Sequence, residues 1–397
     1  MKDMKSKFAI LVDLSNKNLV YFYSSLIVHL VKLLGKVNLI DVSKITKQEI
    51  KVDPLTITKD LIIYRPDSIS ELKNIITKNN FILLYWVSQS LKYFFINFLL
   101  ARLKTKIFII SNIGYNPNNF NYTNRTLPQK IKIFFNIRLN YYFLRLLILF
   151  SILPKIDYFF ESSSYVINSI NNGLSKKIQK KIPWLNFSYY KNLIKINSKF
   201  YDDLINNRFK ISEEYIVFID GFIFDHKDRI MRDGKIIISD RKKYYQHMNN
   251  LLQNLQNMYN KKVIICLHPK NNLSSKNKDF KNFECVKYKT EEFISKSFIT
   301  LYHEGSSILQ AIIQKKKIIN LYGNYLGPYI NLRCELYAKL IDIKRYDLEN
   351  YNLDEKEKLI NDLNACIPNY DKYIKENLII DSSKTGIEQV INHLNLK

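Results

Sequence analysis

Short, nearly uninterrupted apolar runs recur along the chain, separated by segments whose apolar residues fall three and four apart. In the first half the runs are Phe8–Val12, Val37–Ile40, Leu61–Tyr64, Phe81–Trp86, Ile107–Ile110 and Tyr158–Phe160. Each has strand length and is bounded by polar or turn-forming residues. Val20–Leu34, which ends at Gly35, and Ile69–Lys78 and Ser88–Lys104 have helical spacing. A continuous apolar run, rather than an alternating one, marks a strand covered on both faces. Strands of this kind alternating with helices predict an α/β fold with a parallel sheet.

The rhythm loosens between about residues 165 and 213, where Asn171-Asn172-Gly173, Lys176-Lys177, Lys180-Lys181 and Pro183 suggest irregular, basic chain. It then restarts. Tyr215–Ile219, Val263–Leu267, Phe298–Tyr302 and Lys317–Leu321 are predicted strands. Lys242–Tyr259, Glu291–Ser297, Ile308–Gln314 and much of the chain from Asp354 are predicted helices, with a turn at Pro368-Asn369. Two strand-first halves imply two Rossmann-like domains facing a cleft, 1–205 and 206–397.

Composition agrees with this picture. Hydrophobic residues make up 47% and charged residues 24% of 397 residues, which excludes a disordered or fibrous chain. Cys266, Cys285, Cys334 and Cys366 are too scattered for a disulfide framework, and no His/Cys group has metal-site spacing. A reduced, cytoplasmic protein is expected, with no metal and no cofactor.

Charge changes the picture more. Lys and Arg number 61 against 36 Asp and Glu, a net +25. AT-rich coding favours Lys, Asn, Ile and Tyr and explains part of the excess; the rest suggests an anionic partner. No nucleic-acid recognition motif is present, and the charge is spread along the chain, so nucleic acid is not the expected partner. No run is long enough to span a bilayer. The segment Arg125–Lys155 is rich in Phe, Leu, Ile and Tyr. It carries Arg125, Lys130, Lys132, Arg138, Arg145 and Lys155 with no acid. It reads either as a basic amphipathic helix lying on the inner face of the cytoplasmic membrane or as a helix packed on its own domain.

In open α/β sheets ligands bind beyond the carboxyl ends of the strands. Three polar breaks in the second half fall there. Asp220-Gly221 offers an acid beside a residue that permits close backbone approach, and Asp225, His226 and Asp228 lie nearby. His268-Pro269-Lys270 makes a donor-rich, cationic rim suited to a phosphate. His303-Glu304-Gly305-Ser306-Ser307 places small hydroxyl residues before a helix, where backbone N–H groups favour an anion. Each has an ordinary reading as turn former, core-edge histidine or N-cap. Their coincidence at three strand ends of one domain favours a phosphate-bearing ligand.

This pattern of Asp-Gly, His-Pro and Ser-Ser resembles bacterial GT-B glycosyltransferases of surface polysaccharide synthesis, in particular the sialyltransferases and Kdo transferases that use CMP-activated sugars. Ile219 stands where that family has a first acid. The resemblance implies an N-terminal acceptor domain, a C-terminal donor domain, and inverting, metal-independent sugar transfer to a polysaccharide or lipopolysaccharide acceptor. Asp220 would be the base and His268 would stabilise the leaving phosphate. Gly221, Pro269, Lys270, His303, Glu304, Gly305, Ser306 and Ser307 would line the substrate site. Asp13 is an alternative base in the first domain, and Ser162-Ser163-Ser164 could also line the cleft. A CDP-polyol phosphotransferase would use the same phosphate sites. A non-catalytic polysaccharide-assembly protein of the same fold is the third reading.

Overall fold

A computed structural model describes residues 8–15, 24–50, 53, 58–85, 91–111, 140–172, 188–207, 209–225, 238–269, 271, 279–280, 283–350 and 356–396. The chain forms two compact units. Described residues up to Asn206 and from Ile379 onward belong to the first, and Asn207–Leu378 to the second. The sequence suggested a single division at 205/206. The described chain passes between the two units at Asn206/Asn207 and again at Leu378/Ile379.

The first unit holds β1 (Phe8–Val12), β2 (Val37–Asp41), β3 (Leu61–Tyr64), β4 (Phe81–Tyr85), β5 (Lys106–Ser111), β6 (Ile156–Glu161) and β7 (Tyr190–Lys195). They form one seven-stranded parallel sheet in the order β3-β2-β1-β4-β5-β6-β7. The chain runs outward from β1 in one direction and then, from β4, in the other, so the switch point lies between β1 and β4. Period-two alternation divides the core. Phe8, Ile10 and Val12 face helix Ser24–Leu34 and helix Gly386–Leu394, whereas Ala9 and Leu11 face helices Ile69–Ile76 and Phe94–Arg102. β7 falls in the stretch that read as irregular. It is an edge strand with Lys191 and Asn192 exposed, so no apolar run marks it. Of the basic segment, the structure describes helix Asn140–Leu149 and the chain to Lys155; Arg125, Lys130, Lys132 and Arg138 lie outside the described residues.

The return of the C-terminal segment to the first unit is specified by polar contacts. The Asn197 side chain accepts from the Ile380 and Asp381 N–H groups and donates to the Asp381 and Lys384 carbonyls. Asp202 accepts from the Gly386 and Ile387 N–H groups at the start of the last helix, where Thr385 and Glu388 form a capping box. A Cβ on Gly386 would fall well inside van der Waals contact of the Asn197 carbonyl. Gly386→Ala is therefore expected to destabilise the fold by about 1–3 kcal/mol, as other overpacking substitutions do. Thermal melts against Lys384→Ala as a control check this, and an unchanged midpoint would refute the close approach.

The second unit holds β8 (Tyr215–Ile219), β9 (Lys262–Leu267), β10 (Glu284–Lys287), β11 (Ser297–Tyr302), β12 (Lys317–Tyr322) and β13 (Arg345–Asp347). They form a six-stranded parallel sheet in the order β10-β9-β8-β11-β12-β13. Its switch point lies between β8 and β11. Helix Ile238–Tyr259 buries Tyr244, Met248, Leu251, Leu252 and Leu255 against Ile216, Phe218 and Ile265. The short strands β10 and β13 and helix Gly327–Leu340 were not legible as elements in the sequence.

Candidate functional site

The carboxyl ends of β8, β9 and β11 carry the three polar clusters singled out in the sequence, and the topology makes these strands neighbours. The Asp220 N–H donates to the Cys266 carbonyl at 3.0 Å, which ties the end of β8 to β9. On the other side, a Cβ on Gly221 would lie 3.7 Å from the Glu304 carbonyl. The three loops are thus in contact around the switch point.

Asp220 is 6% exposed. Its Oδ1 accepts the Phe222 N–H at 3.0 Å and its Oδ2 accepts Asn271 Nδ2–H at 3.1 Å. Burial raises its pKa, and the hydrogen bonds from Phe222, Asn271 and the His268 backbone offset this in part. Both oxygens hold loops in place, which is the geometry of a positioning group. The expectation that Asp220 is the base rests on the resemblance; the structure shows each of its oxygens holding one donor from a loop.

His268 is half-buried, and its ring lies face to face with Phe222, with centroids 5.6 Å apart and planes 8° apart. Phe222 has φ +53°, a left-handed conformation that is costly for a bulky residue and is held by the Asp220 bond to its N–H. Asp220, Phe222 and His268 therefore form one chain of support. Pro269 follows at the same rim. Lys270, His226 and Asp228 lie outside the described residues. Asp225 is exposed and pairs with Arg241 at 3.1 Å, so it belongs to the surface rather than to this rim.

The residues of the third loop have separate roles. His303 has no exposed surface. Its Nδ1–H donates to the Leu321 carbonyl at 2.9 Å, so Nε2 accepts from the Tyr244 hydroxyl at 2.8 Å. Burial drives its pKa down to about 4. The expected substrate contact from His303 does not fit this position, because the ring is a neutral core group with both nitrogens engaged. It anchors the loop from beneath, and Asn320 does the same by donating to the His303 carbonyl at 3.0 Å. Glu304 is ion-paired with Arg333, and both side chains are largely buried, so its charge is balanced within the protein. Gly305 has φ +134°, a conformation L side chains rarely adopt, which turns the chain out of β11 toward Ser306.

Ser306 and Ser307 are partly exposed. Ser307 precedes helix Ile308–Ile313 without forming a side-chain cap, and neither hydroxyl bonds to another described residue. The helix is only six residues long, so its dipole adds little; the hydroxyls and the loop N–H groups are the donors this loop could offer an anion. Gln310, one turn further on, has no exposed surface and an amide with no partner among the described residues.

No protein-family model and no curated protein matches the chain by sequence. Solved structures match by shape. A histidine variant of the wall teichoic acid polymerase TagF is 12% identical, with 98% of this chain and 88% of that chain covered and a TM-score of 0.53. The unaltered polymerase is 11% identical, covers 98% of this chain and 89% of its own, and has a TM-score of 0.51. The calicheamicin glycosyltransferase CalG4 is 7% identical over 98% and 96% of the two chains, with a TM-score of 0.46.

The fold is GT-B-like. These identities establish architecture and no more. Phe222, Asn271 and Arg333 are residues of these loops and their supports that the sequence reading did not single out. Phe222 and Asn271 sit beside motifs that drew attention, but an aromatic and an amide in loops carry no signal by type. Arg333 reaches Glu304 from a helix that the pattern did not reveal.

The first GT-B unit has polar groups at its own strand ends. Asp13, 2% exposed at the end of β1, accepts from Lys92 Nζ and from the Tyr93 hydroxyl, each at 2.7 Å. Burial opposes its ionisation, but the bonds from Lys92, Ser15 and Tyr93 outweigh it, and the pKa is lowered. Ser162 and Ser163 are fully buried and donate their N–H groups to Glu161. They brace a core carboxyl that burial pushes up to about 7, and the buried side chains do not line a surface.

Proposed function

We propose that the second unit binds the phosphate of a nucleotide-activated donor at the ends of β8, β9 and β11, and that the protein transfers a sugar from that donor, a CMP-sugar in the favoured form, to a glycan or glycolipid acceptor of surface polysaccharide or lipopolysaccharide. The observation that supports this is that His268 and the Ser306 and Ser307 hydroxyls, which bond to no other described residue, follow the two strands that flank β8 at the switch point of the sheet. His268 and the serine hydroxyls and N–H groups stabilise negative charge growing on the leaving phosphate. Asp220 fixes the loop that presents His268. Inversion and metal independence belong to this proposal.

The likeness in fold to a wall teichoic acid polymerase favours a second reading, transfer of a polyol phosphate from a CDP-activated donor to the same class of surface polymer. It uses the same phosphate site.

A thermal-shift panel with CMP, CDP, UDP, GDP and dTDP tests both. A ligand at about 100 times its Kd stabilises the folded state by roughly 2.7 kcal/mol, a shift of several degrees at about 2–4 °C per kcal/mol. A shift with CMP that Ser306→Ala with Ser307→Ala removes supports the sugar transferase. A preference for CDP supports the polyol phosphate reading. If no nucleotide shifts the midpoint, the donor site is absent, and a non-catalytic assembly role takes its place.

A further inference from the structure

The first unit holds a buried histidine that the candidate site does not use. His29, on helix Ser24–Leu34, is 6% exposed. It stands between two stretches that are far apart in sequence. Asn206, in helix Lys199–Asn207, is the last residue of the first unit before the chain passes to the second. Thr385 caps helix Gly386–Leu394, after the chain has returned. Each imidazole nitrogen faces one of them.

The neighbouring bonds fix the protonation of the ring. Asn206 Nδ2 donates to the Asp202 carbonyl at 2.7 Å, which orients the amide. The same nitrogen lies 3.1 Å from His29 Nδ1, so Nδ1 has to accept and the ring proton sits on Nε2. Nε2 lies 3.5 Å from Thr385 Oγ1, at the outer limit of a hydrogen bond. That hydroxyl accepts the Glu388 N–H at 3.2 Å, while the Thr385 N–H donates to the Glu388 carboxylate at 2.7 Å. Only a neutral ring suits this position. A second proton would set an Nδ1–H against the Asn206 N–H. Turning the Asn206 amide to accept it would set its oxygen against the Asp202 carbonyl.

The surrounding charges do not offset this conflict. Lys32 lies one turn away on the same helix. Helix Lys199–Asn207 brings Asp202 and the mutually paired Lys199 and Asp203, and the last helix brings Glu388. Burial lowers the His29 pKa; Glu388 and Asp203 oppose the shift, Lys32 adds to it, and the net direction is down. Burial pushes Asp202 up to about 8, so it carries little charge at neutral pH.

We infer that His29 is a proton-sensitive clasp. Neutral, it ties the chain's exit from the first unit to its return; protonated, it releases helix Gly386–Leu394 from the sheet. Release uncovers the Phe8, Ile10 and Val12 face, which Ile387, Val390, Ile391 and Leu394 cover. The contribution of the neutral ring is complete above about pH 6.5 and is lost as pH falls below it. The inference does not rest on the transfer reading, since it needs neither donor nor acceptor.

Hydrogen–deuterium exchange of the full chain at pH 7.5 and pH 5.5, with times scaled for the intrinsic pH dependence of exchange, tests it. Helix Ile69–Ile76 of the same unit is the reference. Relative to it, protection of helix Gly386–Leu394 is expected to fall about fivefold or more at pH 5.5, the equivalent of one lost hydrogen bond. His29→Gln offers an acceptor and a donor without a titrating group, and should show no such fall. Asn206→Asp should reverse the sign, because its carboxylate accepts from the protonated ring. A purely structural contact would not reverse. No fall in the unaltered chain, or an equal fall in His29→Gln, would overturn the inference. So would a fall in Asn206→Asp as large as in the unaltered chain.

Discussion

Under the proposed transfer, His268→Ala is expected to lower activity about 10²–10³-fold, the range seen when one donor to a developing negative charge is removed, while changing stability little. The ring is half-buried at a rim and its described packing partner is Phe222. Losing that stack costs about 0.5–1.5 kcal/mol. His268→Phe separates the two contributions. It keeps an aromatic plane on Phe222 and removes the donor, so stability should return while activity stays low. Full activity in His268→Phe would show that the ring serves packing alone. Asp220 supplies the contrasting case. As a positioning group, Asp220→Asn retains an oxygen for the Phe222 N–H, and Asn271 can turn its amide to match. Most activity should survive. A general base would lose about 10²–10⁴-fold with the same change.

Acid is expected to destabilise the second unit through His303. The folded pKa is depressed to about 4 by burial, against about 6.5 when unfolded. The unfolded chain therefore binds the extra proton first as pH falls. The contribution of neutral His303 is complete above pH 6.5 and is lost progressively as pH falls toward 4. At pH 5 the loss is about 2 kcal/mol. Carboxyls of the first unit act in the opposite sense. Burial raises Glu161 to about 7 and Asp202 to about 8, so their contribution is present at low pH and lost as pH rises through those values. The effect of His303 is therefore read as a difference. Denaturation midpoints of wild type and His303→Gln, measured at pH 7.5 and pH 5, should converge at the lower pH by about that 2 kcal/mol. A gap that stays constant with pH would mean that His303 does not remain neutral in the folded state.

Much of the fold is legible in the hydrophobic pattern because strands buried on both faces have to be apolar. Phe8–Val12, Tyr215–Ile219 and Val263–Leu267 appear as uninterrupted runs, and the structure places all three inside parallel sheets. The pattern fails where that compulsion is absent. β7 and β13 are edge strands, half exposed and polar, and read as loop. In the site, Asp220, His268 and Ser306-Ser307 stand out because polar residues interrupt apolar runs at strand ends. Residue type alone does not separate a rim histidine from a core one. His268 and His303 look alike in sequence, yet one stacks at a surface and the other lies fully buried between Tyr244 and the Leu321 carbonyl.

The sequence by itself determined the α/β class, the two strand-first halves and the three polar clusters, since each follows from local period and composition. Only the tertiary structure decided which clusters meet and in what role. Strand order brings the ends of β8, β9 and β11 together, and strand order depends on long-range pairing that no local pattern encodes. The same holds for the C-terminal helix. Its capping box is written at Thr385 and Glu388, but its place in the first unit depends on Asn197 and Asp202, more than 180 residues earlier in the chain.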